Sequence, residues 1–161
     1  MKQSCISCAT VSGSILPTGG VVCETATWIV VLRANPVRFP CLPLIILKQH
    51  REQIADLSYE ESSCLGPLMT LTAQVLNDVL QPAKVHFGLY AESVKHIHVH
   101  VFPRMPNMPA GNIPNLWMEA WMNVLHSVGL KKAYSNEVVT RYAEKLSKAY
   151  LEVANFQPEQ A

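Results

Sequence analysis

Apolar residues recur along this chain with two different periods, and the switches between them predict its elements. Positions 21–24 and 25–33 are rich in β-formers and read as two successive strands, the second broken by Asn35-Pro36. Positions 44–47 form a third strand, short and apolar on both faces, hence central. The period then lengthens. Leu65, Leu68, Met69, Thr72, Val75, Leu76 and Val79 fall on one helical stripe, and Ser58 and Glu61 ahead of it have capping-box spacing. Pro67 either kinks this helix or stands in the first turn of its main part, and Pro82 closes it. Positions 85–90 are a fourth strand.

The fifth strand is His96-Ile97-His98-Val99-His100-Val101-Phe102. Three histidines alternate with branched apolar residues, so a period of two puts all three imidazoles on one face and the apolar set toward a core. Pro103 then removes a ladder donor and is expected to end the strand. One histidine on such a face would read as solvated surface. Three in strict alternation point to a site, because imidazole can be nucleophile, proton carrier, phosphate donor or metal ligand.

Three strands, a helix and two strands predict an α+β domain, an antiparallel sheet with a long helix on one face. Four prolines in 103–114 mark a linker or a loop near the site. Positions 115–130 and 134–153 read as helices, the second with Val139, Tyr142, Leu146, Tyr150 and Val153 on one stripe. The chain thus divides into a sheet domain over 1–104 and a helical extension over 105–161, packed on that domain or on a dimer partner. These stripes are wide for a small monomer to cover, which predicts a homodimer. Trp117 or Trp121 is a candidate aromatic wall over a base. The residues from Gln157 onward are expected to be disordered.

Composition narrows the class. With 161 residues and 49% hydrophobic content the chain can bury a full core. Thirteen basic and twelve acidic residues give a net charge of +1, which argues against a nucleic acid polymer or an anionic membrane as partner. No apolar run reaches transmembrane length, and Met1-Lys2-Gln3-Ser4-Cys5 has no apolar signal region, so a cytoplasmic enzyme is expected. Five cysteines, an odd number, argue against a disulfide framework. Cys23, Cys41 and Cys64 read as small buried residues, whereas Cys5-Ile6-Ser7-Cys8 has the spacing of a two-thiolate metal grip. His86 and His126 read as structural or exposed.

The segment Ser93-Val94-Lys95-His96-Ile97-His98-Val99-His100-Val101-Phe102-Pro103-Arg104 resembles the signature of the histidine triad (HIT) proteins, and a looser resemblance extends upstream to about Cys5. It implies a HIT-like fold, a five-stranded antiparallel sheet with a long helix. It also implies a nucleotide hydrolase or nucleotidyl transferase that cleaves a phosphoanhydride or phosphoramidate bond. By that resemblance His98 is the nucleophile that forms a nucleotidyl-histidine, and His100 and Ser93 contact the phosphate. In a subset of the family a structural zinc has four ligands, which match Cys5, Cys8, His50 and His96 here. The resemblance also implies a homodimer.

Departures from the family pattern surround the substrate. Ala91-Glu92 replaces the usual Gly-Gln, and Glu92 is a candidate to orient water or a leaving group. Arg33 stands where an Asp or Asn often meets the ribose, next to Asn35, and Leu42 replaces a further histidine. Arg33, Leu42 and Glu92 favour a non-catalytic nucleotide- or phosphometabolite-binding protein as one rival reading. A metallohydrolase centred on the triad itself is the other.

Overall fold

Strand alternation and one amphipathic helix account for the architecture of the computed structural model, which describes residues 5–33, 39–108 and 124–155. A short helix, α1 (Ile6–Val11), precedes β1 (Val21–Glu24), β2 (Trp28–Leu32) and β3 (Pro43–Leu47). The long helix α2 (Tyr59–Leu80) follows, then β4 (Lys84–Leu89), β5 (His98–Arg104) and α3 (Asn136–Asn155). The five strands form one antiparallel sheet in the order β1-β2-β3-β5-β4. This is the α+β layout expected from the hydrophobic pattern. Among the described residues no helix is long and apolar enough to cross a membrane.

The two faces of the sheet are unequal. Trp28, Val30, Leu32, Ile45, Leu47, Val99 and Val101 face a large core completed by Leu68, Val75 and Leu76 of α2 and Val139, Ala143 and Leu146 of α3. The other face is a thin layer, Ile29, Val31, Leu44 and Ile46, with Val11 of α1 packed on it. Register carries this layer to the histidines. Ile29 pairs with Ile46 and Ile46 with His98; Val31 pairs with Leu44 and Leu44 with His100. Each histidine therefore ends an apolar rung that crosses the sheet.

The start of α2 is fixed by the expected capping box. Glu61 N–H donates to Ser58 Oγ at 3.1 Å, and Ser58 N–H donates to Glu61 Oε2 at 2.6 Å. Arg51 Nε also donates to Glu61 Oε2, at 2.8 Å, and Trp28 Nε1–H donates to the Glu61 carbonyl. Burial alone would raise the Glu61 carboxyl, but the Ser58 N–H and the Arg51 guanidinium outweigh it and hold the group below its ordinary range. Of the two roles expected for Pro67, the first-turn one does not apply: the helix starts eight residues earlier and runs through it. Ser63, whose carbonyl loses its intrahelical partner, is exposed and can be met by water.

Four other expectations are corrected. Thr25 is not in β2; its hydroxyl accepts the Trp28 N–H at 2.9 Å and closes a turn, a competing local bond typical of Thr. Pro103 does not end β5 but pairs with Val85, and the strand continues to Arg104. The β3 pairing stops at His100, so beyond it one edge of β5 has no ladder to lose. His96 and Ile97 lie just before β5, tied instead to the neighbouring connection. Cys41 is fully buried, but Cys23 and Cys64 are only half-buried; all five cysteines are free. Of the expected 115–130 helix only 124–127 is helical among the described residues, and Asn35, Trp117, Trp121 and the segment from Gln157 lie outside them.

Helix α3 packs on α2 and β1 and also closes on the loop after α1. Gly19 has φ +81°, and a Cβ there would overlap the Ala143 methyl of α3. Gly20 has φ +76° and open space around it. Gly20→Ala should therefore cost only backbone strain, about 1–2 kcal/mol. Gly19→Ala adds overpacking of about 1–3 kcal/mol. Urea unfolding of the two variants checks this, and equal losses would refute the close approach.

Candidate functional site

β5 delivers His98 and His100 to the thin face, and backbone bonding sets their protonation. His98 Nδ1 lies 2.7 Å from the His96 carbonyl oxygen. A carbonyl only accepts, so Nδ1 carries the proton and Nε2 of the neutral ring keeps a free lone pair. That Nε2 lies 3.1 Å from Nε2 of His100. The donor of this pair must then be His100 Nε2–H. Burial first, then His98 and Arg33, push the His100 pKa down from 6.5 to about 4. His100 thus stays neutral through the physiological range, as its role as single donor requires.

Aromatic rings hold His100 in place. Phe102, next on the same face, stacks on it at 5.8 Å and 13°. Tyr90, just past the end of β4, lies 6.0 Å away. The residue paired with His100 on β4 is Gly88, and any Cβ there would run into the Tyr90 ring. Glycine is thus what lets Tyr90 fold down beside the imidazole. Ala91, at the turn between β4 and β5, has φ +49°, a left-handed conformation in which glycine is at ease and alanine is strained.

A cavity of about 280 Å³ opens beside the pair. Val31, Leu44 and Ile46 make its floor; α1 and the following loop make a wall with Ile6 and Leu16; Arg33 and Val94 also line it. Arg33 is thus brought to the histidines, as is the hydroxyl-bearing Thr10. Glu92 and Ser93 are exposed and are not among the residues lining the cavity. Leu42 is buried, and its carbonyl accepts the Arg33 N–H at 2.9 Å.

His96 turns away from this pair. Its ring is fully buried, and Nε2–H donates to the Leu47 carbonyl at 2.7 Å. Nδ1 is therefore the bare nitrogen, and it faces Cys5 Sγ at 3.4 Å and Cys8 Sγ at 3.3 Å. His50 Nδ1 lies 3.2 Å from Cys8 Sγ, and its Nε2–H donates to Glu52 at 3.3 Å. The four ligand atoms all lie within 4.8 Å of one another. Zinc–sulfur and zinc–nitrogen bond lengths give a tetrahedral S···N edge of about 3.6 Å. Two thiols, two bare imidazole nitrogens and a carboxylate behind one ring therefore fit a four-coordinate metal. Backbone bonds assemble the cluster: Ile97 N–H donates to the Arg51 carbonyl, which draws the His50 connection against His96.

Sequence reasoning missed the double role of α1. The Cys-x-x-Cys spacing marked the thiols, but Ile6, Ser7 and Thr10 between and after them line the cavity. An apolar Ile6 between the two cysteines, with Val11 three residues beyond them, was the available signal. Tyr90 was also missed, since it lies in no motif, and Val94, though inside the signature segment, was given no role.

Comparison with known proteins identifies the family and the fold. The family model described as HIT domain matches residues 18–107. Comparison with curated proteins gave no match. Among solved structures, a zinc-bound histidine triad family protein from Mycobacterium smegmatis is 19% identical with a TM-score of 0.66, covering 94% of this chain and 96% of that one. A hypothetical histidine triad nucleotide-binding protein from Sulfolobus tokodaii is 15% identical, TM-score 0.70, covering 97% and 98%. A diadenosine triphosphate hydrolase from Plasmodium falciparum, in complex with cyclomarin A, is 15% identical, TM-score 0.59, covering 82% and 76%. At such identities the structures establish the fold, and the match over more than half of the sequence establishes the family. The chain belongs to the histidine triad (HIT) family.

Proposed function

We propose that this protein is a nucleotide hydrolase or nucleotidyl transferase that works through a covalent intermediate on His98. The observation that carries this reading is the fixed tautomer: Nδ1–H is committed to the His96 carbonyl, and among the described residues the lone pair on Nε2 meets only the His100 N–H. In the first step Nε2 attacks phosphorus, the N–P bond forms, and the P–O or P–N bond to the leaving group breaks with its electron pair. The ring becomes a cation, whose Nδ1–H stays on the carbonyl. His100 Nε2–H, released from His98, turns to the phosphoryl oxygens as their charge grows. Water, or another acceptor, then attacks phosphorus; the N–P bond breaks and His98 regains its lone pair. Ser93 adds a phosphate contact and Glu92 positions the water or leaving group once their exposed turn meets substrate, with Asn35 and Arg33 on the nucleoside side. A metal centred on the triad is disfavoured, since His96 faces the thiols instead of its two neighbours.

The binding-only reading is tested directly. His98→Ala should abolish turnover while leaving the fold intact, and His100→Ala should slow the chemical step by about 10²- to 10³-fold. Rapid quench with a phosphorus-labelled nucleotide should trap an acid-labile, base-stable adduct. Undiminished hydrolysis by His98→Ala would sink the mechanism, and no turnover of any nucleotide by the parent protein would favour the binding module.

Cys5, Cys8, His50 and His96 are the residues that would hold zinc, as a closed structural site. Such a site supplies a crosslink and no open coordination position for chemistry. Metal analysis of protein prepared without chelators should find about one zinc per chain, lost in Cys8→Ser together with thermal stability. Metal-free protein whose melting is unmoved by added zinc would end this assignment.

The protein is further expected to be a homodimer, since Val124, Val128, Leu130 and Leu151 leave apolar surface exposed on the C-terminal helical segments. Light scattering at micromolar concentration should give twice the 17.9 kDa chain mass, and a monomer mass would refute it.

A further inference from the structure

The histidine pair is flanked differently on its two sides. Toward β3 the cavity opens over Leu44 and Ile46, the residues paired with His100 and His98. Toward β4 stands Tyr90, to which the sequence motif assigns no part. Gly88 pairs with His100, and directly paired residues share a face. Tyr90 is two residues further on and keeps that face. Carried one residue past Leu89 and Val99, the same register brings Tyr90 opposite His98.

The Tyr90 ring then turns back over Gly88. Its Oη, Cε2 and Cζ lie 2.5, 2.6 and 2.7 Å from where a Cβ of residue 88 would stand. Cβ atoms of directly opposed residues are about 5 Å apart. The phenol tip therefore takes the place of a side chain beside His100, and the two ring centroids are 6.0 Å apart. Tyr90 thus spans the β4 flank of both histidines, its root by His98 and its hydroxyl by His100. The residue is 44% exposed, so a ligand arriving from solvent can meet it.

The geometry of attack at phosphorus defines what that hydroxyl can touch. With His98 Nε2 on one side and the leaving group in line opposite, three oxygens lie between them, the nucleoside oxygen and two terminal ones. The nucleoside oxygen points to the cavity, and His100 N–H takes one terminal oxygen. The other is left toward β4. Paired strands are about 4.8 Å apart, so an oxygen projecting that way closes on the phenol. We propose that Tyr90 is a further catalytic residue, whose Oη–H donates a hydrogen bond to the second terminal oxygen as its charge grows. No proton is transferred, and the bonds made and broken stay those of the His98 step. The proposal rests on the His98 reading for the rate it raises, but not for the contact with phosphate.

Tyr90→Phe keeps the ring over Gly88 and removes only the donor, so its melting temperature should match that of the parent. Kinetics with the phosphoramidates of adenosine and uridine 5′-monophosphate read the rate, and calorimetry with the two monophosphates reads the contact. In Tyr90→Phe kcat should fall about tenfold or more with KM within about threefold, because the donor acts on charge that develops in the transition state. The dianionic monophosphates resemble that charge and should bind about fivefold or more weakly. An unchanged kcat, or a rise in KM with kcat kept, would overturn the proposal. An adduct on His98 that forms as fast in Tyr90→Phe as in the parent would remove this inference and leave the mechanism. Weaker monophosphate binding by Tyr90→Phe, when the parent forms no adduct, would do the reverse. A parent that neither turns over nor binds any of these nucleotides would overturn both.

Discussion

Burial of Ile97, Val99 and Val101 against α2 and α3 is the constraint on which the rest depends. Side chains on a strand alternate, so Val99 and Val101 cannot enter the core without sending His98 and His100 the other way. A slip of one residue would bury the imidazoles and expose the branched chains, which makes the register costly to change. β5 is also held on both sides, by β3 and β4, so its backbone has little freedom to re-aim a ring. The precision of the histidine pair is thus an outcome of apolar packing on the opposite side of the same strand.

From that strand a single chain of polar bonds runs through both sites. Leu47 carbonyl takes the His96 ring proton, His96 carbonyl takes the His98 ring proton, and His98 takes that of His100. Each acceptor dictates the tautomer of the ring it holds, and each ring presents its other nitrogen outward. For His96 that nitrogen faces two thiols; for His98 it faces the cavity. The same residue type therefore presents opposite ring nitrogens at the two places, because its backbone acceptors fix which one is left bare.

Much of this was legible in the sequence, because period and capping are local signals. The alternation of β5, the stripe of α2 and the Ser58–Glu61 box each depend on residues within a few positions of one another. The pairing of Cys5 and Cys8 with His50 and His96 came through the family resemblance; nothing local connects residues 88 or 91 positions apart. What escaped were features set by neighbours in space. Pro103 is tolerated because β3 ends first, Gly88 matters because Tyr90 folds over it, and Thr25 leaves its strand for a turn. Ala91 shows the same limit from the other side: its left-handed backbone is imposed by the two strands it joins, against its own preference.

Helix α1 has six residues, too few to be stable alone. One of its edges contributes thiols to the cysteine–histidine cluster, and another contributes Ile6, Ser7 and Thr10 to the cavity. Two binding events that order the same short segment are thermodynamically linked. Whichever occupant arrives first bears the entropy of fixing the helix, and the second is spared it. Reciprocity then requires that an ion gripped by the thiols tighten the hold on a ligand in the cavity by the same factor as the ligand tightens the hold on the ion. Were the thiols to hold an ion, as proposed above, its removal would loosen a cavity ligand by that same factor.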